Sequence, residues 1–275
     1  MPDVPNLTFN NGVEIPQLGF GVFQVPPDEV IDPVLAALEA GYRLIDTAAM
    51  YGNEEGVGKA IEQSGVPRDE LFITTKLNNP DHGYDAALKA FDASVGKLGI
   101  DVLDLYLIHW PLPKRNDYVE TWKAFEKLYA DGRVRSIGVS NFQTNHLNRL
   151  FAETDVKPVI NQIELHPGFP QLELRAFHAD NEMLTEAWSP IGQGYGLLDD
   201  PTIRSIAERV DRSPAQVVLR WHIQHGNVVI PKSVTPARIK ENIDVFDFEL
   251  SDEDMAALTD LSGPGRLGPD PDTFN

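Results

Sequence analysis

The stretch LFITTKLNNPDHGYDAALKAFDASVGKLG, residues 71–99, opens with an apolar, partly β-branched run from Leu71 to Thr75 and passes through a polar cluster. It ends in an amphipathic stretch, Ala86 to Leu98, that stops at Gly99. Such a run reads as a strand, the later periodicity as a helix, and the glycine as a left-handed helix end. Residues 71–99 are one βα unit.

That unit recurs outward in both directions. Strand-like runs fall at Leu18 to Gly21, Leu44 to Thr47, Leu71 to Thr75, Leu103 to Ile108, Ser136 to Val139, Pro158 to Ile163, Met183 to Trp188 and Val228 to Ile230, eight in all. They lack clean in/out alternation, as parallel strands covered on both faces do. Helical patterns at Glu29 to Ala40 and Tyr118 to Ala130 stop at Gly41 and at Asp131-Gly132. Ser213-Pro214-Ala215-Gln216 supplies an N-cap, a proline at the first helical position and a glutamine that completes a capping box; Ser251-Asp252-Glu253-Asp254 opens a last helix in the same way. Eight such units with no Gly/Ser linker predict a single (β/α)8 TIM barrel over residues 1–275 rather than an open doubly wound sheet. A hairpin, Leu7 to Phe9 with Val13 to Pro16 around Asn10-Asn11-Gly12, should cap its bottom.

Composition narrows the chemistry. The 275 residues carry 23 basic and 42 acidic side chains, a net charge of −19, which makes nucleic acid a poor partner. With 42% apolar residues, a disordered chain is excluded. There is no cysteine, so thiolate catalysis, disulfides and cysteine metal sites are excluded. The start, MPDVPNLTFN, has neither a basic nor an apolar stretch, and no run approaches the ~18 apolar residues of a membrane span. A soluble, cytoplasmic monomer is expected, and Asn6-Leu7-Thr8 is a chance match to a glycosylation triplet.

In a TIM barrel the active site forms at the C-terminal strand ends. Here those ends carry Asp46, Lys76, His109, Ser140-Asn141, Gln162, Trp188-Ser189 and Lys232-Ser233. One polar strand end is only a return to solvent; seven in succession imply a converging site. Asp46 and Lys76 close adjacent runs, and a short loop brings Tyr51 to the same mouth. An ammonium beside a phenol stabilises the phenolate and eases proton release, the carboxylate would orient the ammonium, and His109 could donate a hydrogen bond to a substrate oxygen. The set can protonate a carbonyl or alkoxide oxygen without a metal. His222 and His225, three apart on a helical pattern, lack acidic ligands and read as solvent-facing structural histidines, and no metal site is expected. His82, His146, His166 and His178 read as structural.

Two glycine-rich segments differ. Gly52 to Gly58 lacks dinucleotide spacing, carries two acids and reads as a helix start. Gly192-Gln193-Gly194-Tyr195-Gly196, after Ser189-Pro190, has the exposed N–H groups to wrap a pyrophosphate. Thr235-Pro236 reads as the N-cap and first position of a helix, so that Lys232, Ser233 and Arg238 would gather at its start after the last strand, where barrels bind phosphate. Ordinary surface charge on a helix is the alternative.

The motifs GYRLIDTA (41–48), YGNE (51–54), LYLIHWP (105–111), GVSNF (138–142), NQIE (161–164) and IPKS (230–233) resemble the aldo-keto reductases, particularly the short microbial members similar to 2,5-diketo-gluconate reductases. The resemblance covers essentially the whole chain. It implies NADPH as cofactor, with Tyr51 as general acid, Lys76 and Asp46 tuning it and His109 orienting the carbonyl. It further implies that Ser140, Asn141 and Gln162 bind the nicotinamide carboxamide and that Trp188 stacks on the ring. Ser189, Ile191, Gly192 and Gln193 would line the pyrophosphate. Lys232, Ser233, Val234 and Arg238 would surround the 2′-phosphate, with Glu241 and Asn242 near adenine.

Members of the resembled family usually carry Lys-Leu-Trp where this chain has Lys76-Leu77-Asn78, so an aromatic wall of the pocket is missing. Short segments after Trp110 and at the C-terminus then imply an open pocket for small polar carbonyls, with Phe23, Asn78, Trp110 and the tail around Phe274 as its walls. The expected activity is NADPH-dependent reduction of small aldehydes, α-dicarbonyls or keto-sugars. A cofactor-binding regulatory or redox-sensing subunit on the same barrel is the alternative.

Overall fold

The computed structural model describes residues 4–261, 263 and 265–275. A hairpin of β1 (Asn6–Thr8) and β2 (Glu14–Pro16) comes first. Eight parallel strands follow: β3 (Gly19–Gly21), β4 (Leu44–Asp46), β5 (Phe72–Leu77), β6 (Leu103–Ile108), β7 (Val134–Ser140), β8 (Ile160–Glu164), β9 (Leu184–Trp188) and β10 (Val228–Val229). Each pairs with the next, and Leu18 bridges Val229 in parallel to bring the first strand against the last. The result is the expected (β/α)8 barrel.

The helices between the strands are α1 (Ile31–Ala40), α2 (Glu54–Ser64), α3 (Tyr84–Leu98), α4 (Tyr118–Ala130), α5 (Thr144–Glu153), α6 (Leu172–Asp180), α7 (Pro201–Val210) and α8 (Pro214–Gln224), and α9 (Pro236–Ile243) and α10 (Asp252–Thr259) follow the last strand. Gly41 and Gly99 close α1 and α3 in the left-handed conformation. Ser213 and Ser251 cap α8 and α10 in full capping boxes. Thr235 starts α9 without its hydroxyl capping the helix; instead the Ser233 hydroxyl accepts the Thr235 N–H at 3.1 Å. Among the described residues, no helix is long and apolar enough to cross a membrane.

Two cores hold the barrel. The larger lies between strands and helices; the smaller fills the interior with Leu44, Phe72, Leu105, Leu107, Ile160, Val228 and Ile230 and is plugged from below by Phe9 and Ile15 of the hairpin. Alternate strand residues therefore face opposite layers: Leu105 and Leu107 point inward, while Tyr106 stacks outward on Phe125 of α4. Gly138 has no room for a side chain, since a Cβ there would sit 2.7 Å from Leu107. Toward the C-terminal ends the inward positions turn polar, and that change of lining places the site.

Candidate active site

Asp46 and Lys76 are the last or near-last inward residues of neighbouring strands β4 and β5, so their side chains meet inside the barrel mouth. The Lys76 ammonium donates to Asp46 Oδ1 at 2.6 Å and to the Thr47 carbonyl at 2.9 Å, and both side chains are buried. A 3₁₀ turn over Ala49–Tyr51 carries Tyr51 back over the pair, with its hydroxyl 3.4 Å from Lys76 Nζ. Loop and helix are fastened beneath it: Thr47 donates to Asn53, whose amide donates to the carbonyls of Val22 and Val25, and Thr75 donates to Glu54. His109, just past β6, lies edge-on to Tyr51 with ring centroids 5.7 Å apart.

Electrostatics assigns charges to these groups. Burial works against a charged Lys76, but Asp46 and then Tyr51 outweigh it and hold the ammonium above its ordinary range. Burial pushes the Tyr51 phenol up, Lys76 pulls it back, and the neighbouring carboxylates leave it raised on balance. Lysine thus moderates a shift that it does not reverse, and Tyr51 rests as a neutral acid. Burial, with Lys76 and His82 nearby, holds His109 well below the usual imidazole range. A neutral ring with a free N–H can donate to a carbonyl without adding charge.

Across the mouth, polar residues lock onto one another. Ser140 Oγ donates to the Gln162 carbonyl at 2.8 Å. The Asn141 amide donates to the His109 carbonyl at 3.0 Å, and its Oδ1 accepts the Trp188 indole N–H at 2.8 Å. Asn141 does this from a left-handed backbone, φ 64°, which asparagine tolerates better than most residues. Gln162 donates to Asp46 Oδ2 at 2.9 Å, tying the amide cluster to the charged pair. Trp188 is held from its other side by the C-terminal tail, where a Cβ on Gly268 would lie 2.6 Å from the indole. The tail is anchored there by Glu164, whose carboxylate accepts the N–H groups of Leu267 and Gly268 at 2.6 and 2.9 Å.

The remaining sequence candidates lie along the rim. Ser189 and Gln193 adopt positive φ; Gly192, also at positive φ, packs so closely on Leu197 that a Cβ would be 2.9 Å from it. Ile191 is half-buried, while 193–196 are exposed. Ser233 and Asn242 are buried, Glu241 is half-buried, and Lys232, Val234 and Arg238 stand exposed at the start of α9. Phe23, exposed, has its ring 5.0 Å from that of Tyr51. Trp110 is buried against Phe274 of the tail, 4.5 Å between centroids. Asn78 is half-buried and accepts the Asn79 N–H at 3.0 Å, so its amide caps the next turn.

His222 departs from expectation. It is fully buried, with Nε2 3.1 Å from the Pro190 carbonyl, because α8 packs its middle against the barrel rather than presenting that face to water. His225 is half-buried, 3.4 Å from the Thr259 hydroxyl. Among the described residues, no three histidines, aspartates or glutamates converge as a metal site. Two residues escaped the strand-end reading, Glu164 and Glu186. Inward alternation is the signal that would have found them, since each lies two positions from a residue that was found.

A model of the Aldo/keto reductase family matches residues 17–262. An aldo-keto reductase of Mycolicibacterium smegmatis is 59% identical over 98% of each chain. The glyoxal reductase of Bacillus subtilis is 53% identical, covering 96% of this chain and 95% of its own. The crystal structure of a Gox0644 mutant in complex with NADPH superposes with a TM-score of 0.95, at 50% identity over 99% of each chain.

Proposed function

We propose that this chain, which belongs to the aldo/keto reductase family, is an NADPH-dependent reductase of small aldehydes, α-dicarbonyls or keto-sugars. The observation that carries the reading is the buried Tyr51–Lys76–Asp46 chain of contacts, 3.4 and 2.6 Å long, with a neutral histidine beside the phenol. The glyoxal reductase relative supports the dicarbonyl class, and the NADPH complex of a half-identical relative supports the cofactor.

The donor set suits such a cofactor. Lys232 and Arg238 are exposed cations at a helix N-terminus, free of ion pairs among the described residues, as a 2′-phosphate requires. Ser189, Ile191, Gly192 and Gln193 would line a pyrophosphate, Val234 would border the 2′-phosphate with Ser233, and Glu241 and Asn242 would border adenine. Ser140, Asn141 and Gln162 offer amide and hydroxyl groups to a carboxamide, and Trp188, pinned by Asn141, offers a flat face to its ring. When bound, NADPH supplies hydride to the carbonyl carbon.

This chain's own residues then handle the oxygen. His109 donates its N–H to the carbonyl oxygen and fixes its direction. As negative charge grows there, the Tyr51 hydroxyl gives up its proton to it. Lys76 stabilises the phenolate left behind, and Asp46 keeps the ammonium charged and aimed. Phe23 and Trp110 wall the substrate side, with Asn78 standing where the resemblance implies an indole. Small carbonyls can enter without crossing an aromatic gate.

The test follows NADPH absorbance at constant enzyme with a panel from phenylglyoxal to keto-sugars. Oxidation that depends on carbonyl concentration is expected. If no member of the panel consumes NADPH while the cofactor still binds, the chain is a cofactor-binding regulatory subunit instead.

A further inference from the structure

Glu186 sits in the middle of β9, between Thr185, which bonds outward to His178 of α6, and Ala187, which packs in the outer core. Its side chain therefore points into the barrel, one inward position below Trp188. It is fully buried, and neither carboxyl oxygen has a hydrogen-bond partner. No other described carboxyl group has both its oxygens buried and unpartnered. In register beside it lies Gln162 on β8, the residue that donates to Asp46; on its other side lies Val228 on β10.

The charges facing Glu186 can be named strand by strand. Asp46 on β4 and Lys76 on β5 form the ion pair, and Tyr51 stands above them. From β8 come the neutral amide of Gln162 and, one inward position above it, the Glu164 carboxylate, which is held by His166 and by the N–H groups of Leu267 and Gly268; from β10 come Val228 and Ile230. Lys76 thus faces both Asp46 and Glu186, while Glu164 has donors of its own. Lys76 already satisfies Asp46 at 2.6 Å, so a charged Glu186 would be both dry and uncompensated, which low-dielectric surroundings disfavour strongly.

The geometry points to Glu186 as a positioning residue for proton transfer: neutral while the enzyme reduces carbonyls, and able, once ionised, to draw Lys76 away from Tyr51 and so set the alkaline limit of reduction. This assignment rests on the reading of Tyr51 as the acid. Burial and then the Asp46 charge push the Glu186 carboxyl up to about 8, against smaller downward pulls from the neighbouring Gln162 amide and from Lys76. A negative Glu186 raises the Tyr51 phenol further and favours the charged lysine, which makes Tyr51 a poorer donor. The proton lost goes to solvent, and no other step changes.

Glu186→Gln copies the neutral carboxyl in shape and cannot ionise; Glu186→Met removes the charge with an unbranched apolar chain. For each protein, kcat/KM for phenylglyoxal is normalised to its own value near pH 6.5. Wild type should fall by roughly tenfold toward about pH 9, as loss of an efficient acid implies, whereas both variants should stay within about twofold. A wild-type alkaline fall that persists in both variants overturns the assignment. Thermal melting supplies the readout that stands apart from turnover. Unfolded glutamate ionises near 4.5 while the folded carboxyl keeps its proton to about 8, so wild-type stability declines with rising pH across that window. The variants' advantage in Tm should therefore widen from about pH 5 to about pH 8. A widening gap without any change in the rate profile means that Glu186 titrates but positions nothing, and the proposal fails. Tyr51→Phe separates the two readings: if it is inactive and the variants keep the alkaline fall, only the role of Glu186 is wrong.

Discussion

The corner where β4 and β5 end and the corner where β10 gives way to α9 carry the same kinds of residue in opposite states. At the first, Lys76 is buried, bound to its own carboxylate at 2.6 Å, and held over by a loop fastened through Asn53. At the second, Lys232 and Arg238 stand in water at a helix start, with no carboxylate paired to them among the described residues. The fold gives the buried cation its counterion and leaves the exposed pair without one; on the proposed reading the first serves chemistry and the second a ligand's anion. On that reading the first arrangement would assemble the protonation machinery before any ligand arrives, and the second would make affinity depend on the ligand's charge.

Breaking the buried corner should have the largest effect. Lys76→Met leaves Asp46 buried without its cation, which costs about 3–5 kcal/mol of stability, and removes the support of the phenolate. Turnover should fall by ~10²-fold or more, and the urea midpoint should drop markedly. Unchanged stability would mean that Gln162 alone suffices for Asp46.

The exposed corner should respond in affinity only. Removing one charged contact with Lys232→Ala or Arg238→Ala should weaken NADPH binding by about one to two decades while leaving NADH nearly unaffected. The parent's preference for NADPH over NADH should shrink with added salt, since the contact is open to solvent. Titrations of both cofactors at two ionic strengths check this, and equal losses for NADPH and NADH would place the phosphate elsewhere.

A smaller change belongs between the corners. Asn78→Trp should raise kcat/KM for an aromatic aldehyde relative to a hydrophilic keto-sugar, through apolar area worth ~25 cal/mol per Å² buried, with NADPH affinity little altered. An unchanged substrate ratio would show that position 78 only caps the turn at Asn79.

The smallest effect is a flat profile. His109 is held well below its ordinary range, Lys76 and Tyr51 lie above theirs, and Glu186 titrates at about 8. Between about pH 5.5 and 7 the reduction rate should therefore show no titration step; an acid limb near the ordinary imidazole value would mean that His109 protonates in the working site.

The two corners also differ in how far the sequence revealed them. The strand runs and the residues closing them were legible because a barrel repeats one unit eight times and exposes only strand ends to ligand. Asp46, Lys76 and His109 fall there, and Tyr51 follows within one short loop. Glu186 was hidden because it lies inside a run rather than at its end, where only the two-residue alternation betrays an inward carboxyl. His222 was misplaced because a helix that packs on both sides shows no polar stripe to separate its buried and open faces. Thr235 looked like a cap by type, yet the preceding Ser233 took the hydrogen bond. Nor does any local pattern announce that Glu164 will grip the backbone of residues about a hundred positions later.

Whether the buried corner donates its proton from Tyr51 is tested most sharply by Tyr51→Phe. The substitution removes one oxygen and keeps the ring that packs against Phe23 and His109. Measured with phenylglyoxal, kcat should fall by ~10²-fold or more, while the NADPH Kd from cofactor fluorescence stays within about twofold. A variant whose kcat remains within a few-fold of the parent would contradict the account, because the proton would then come from another group.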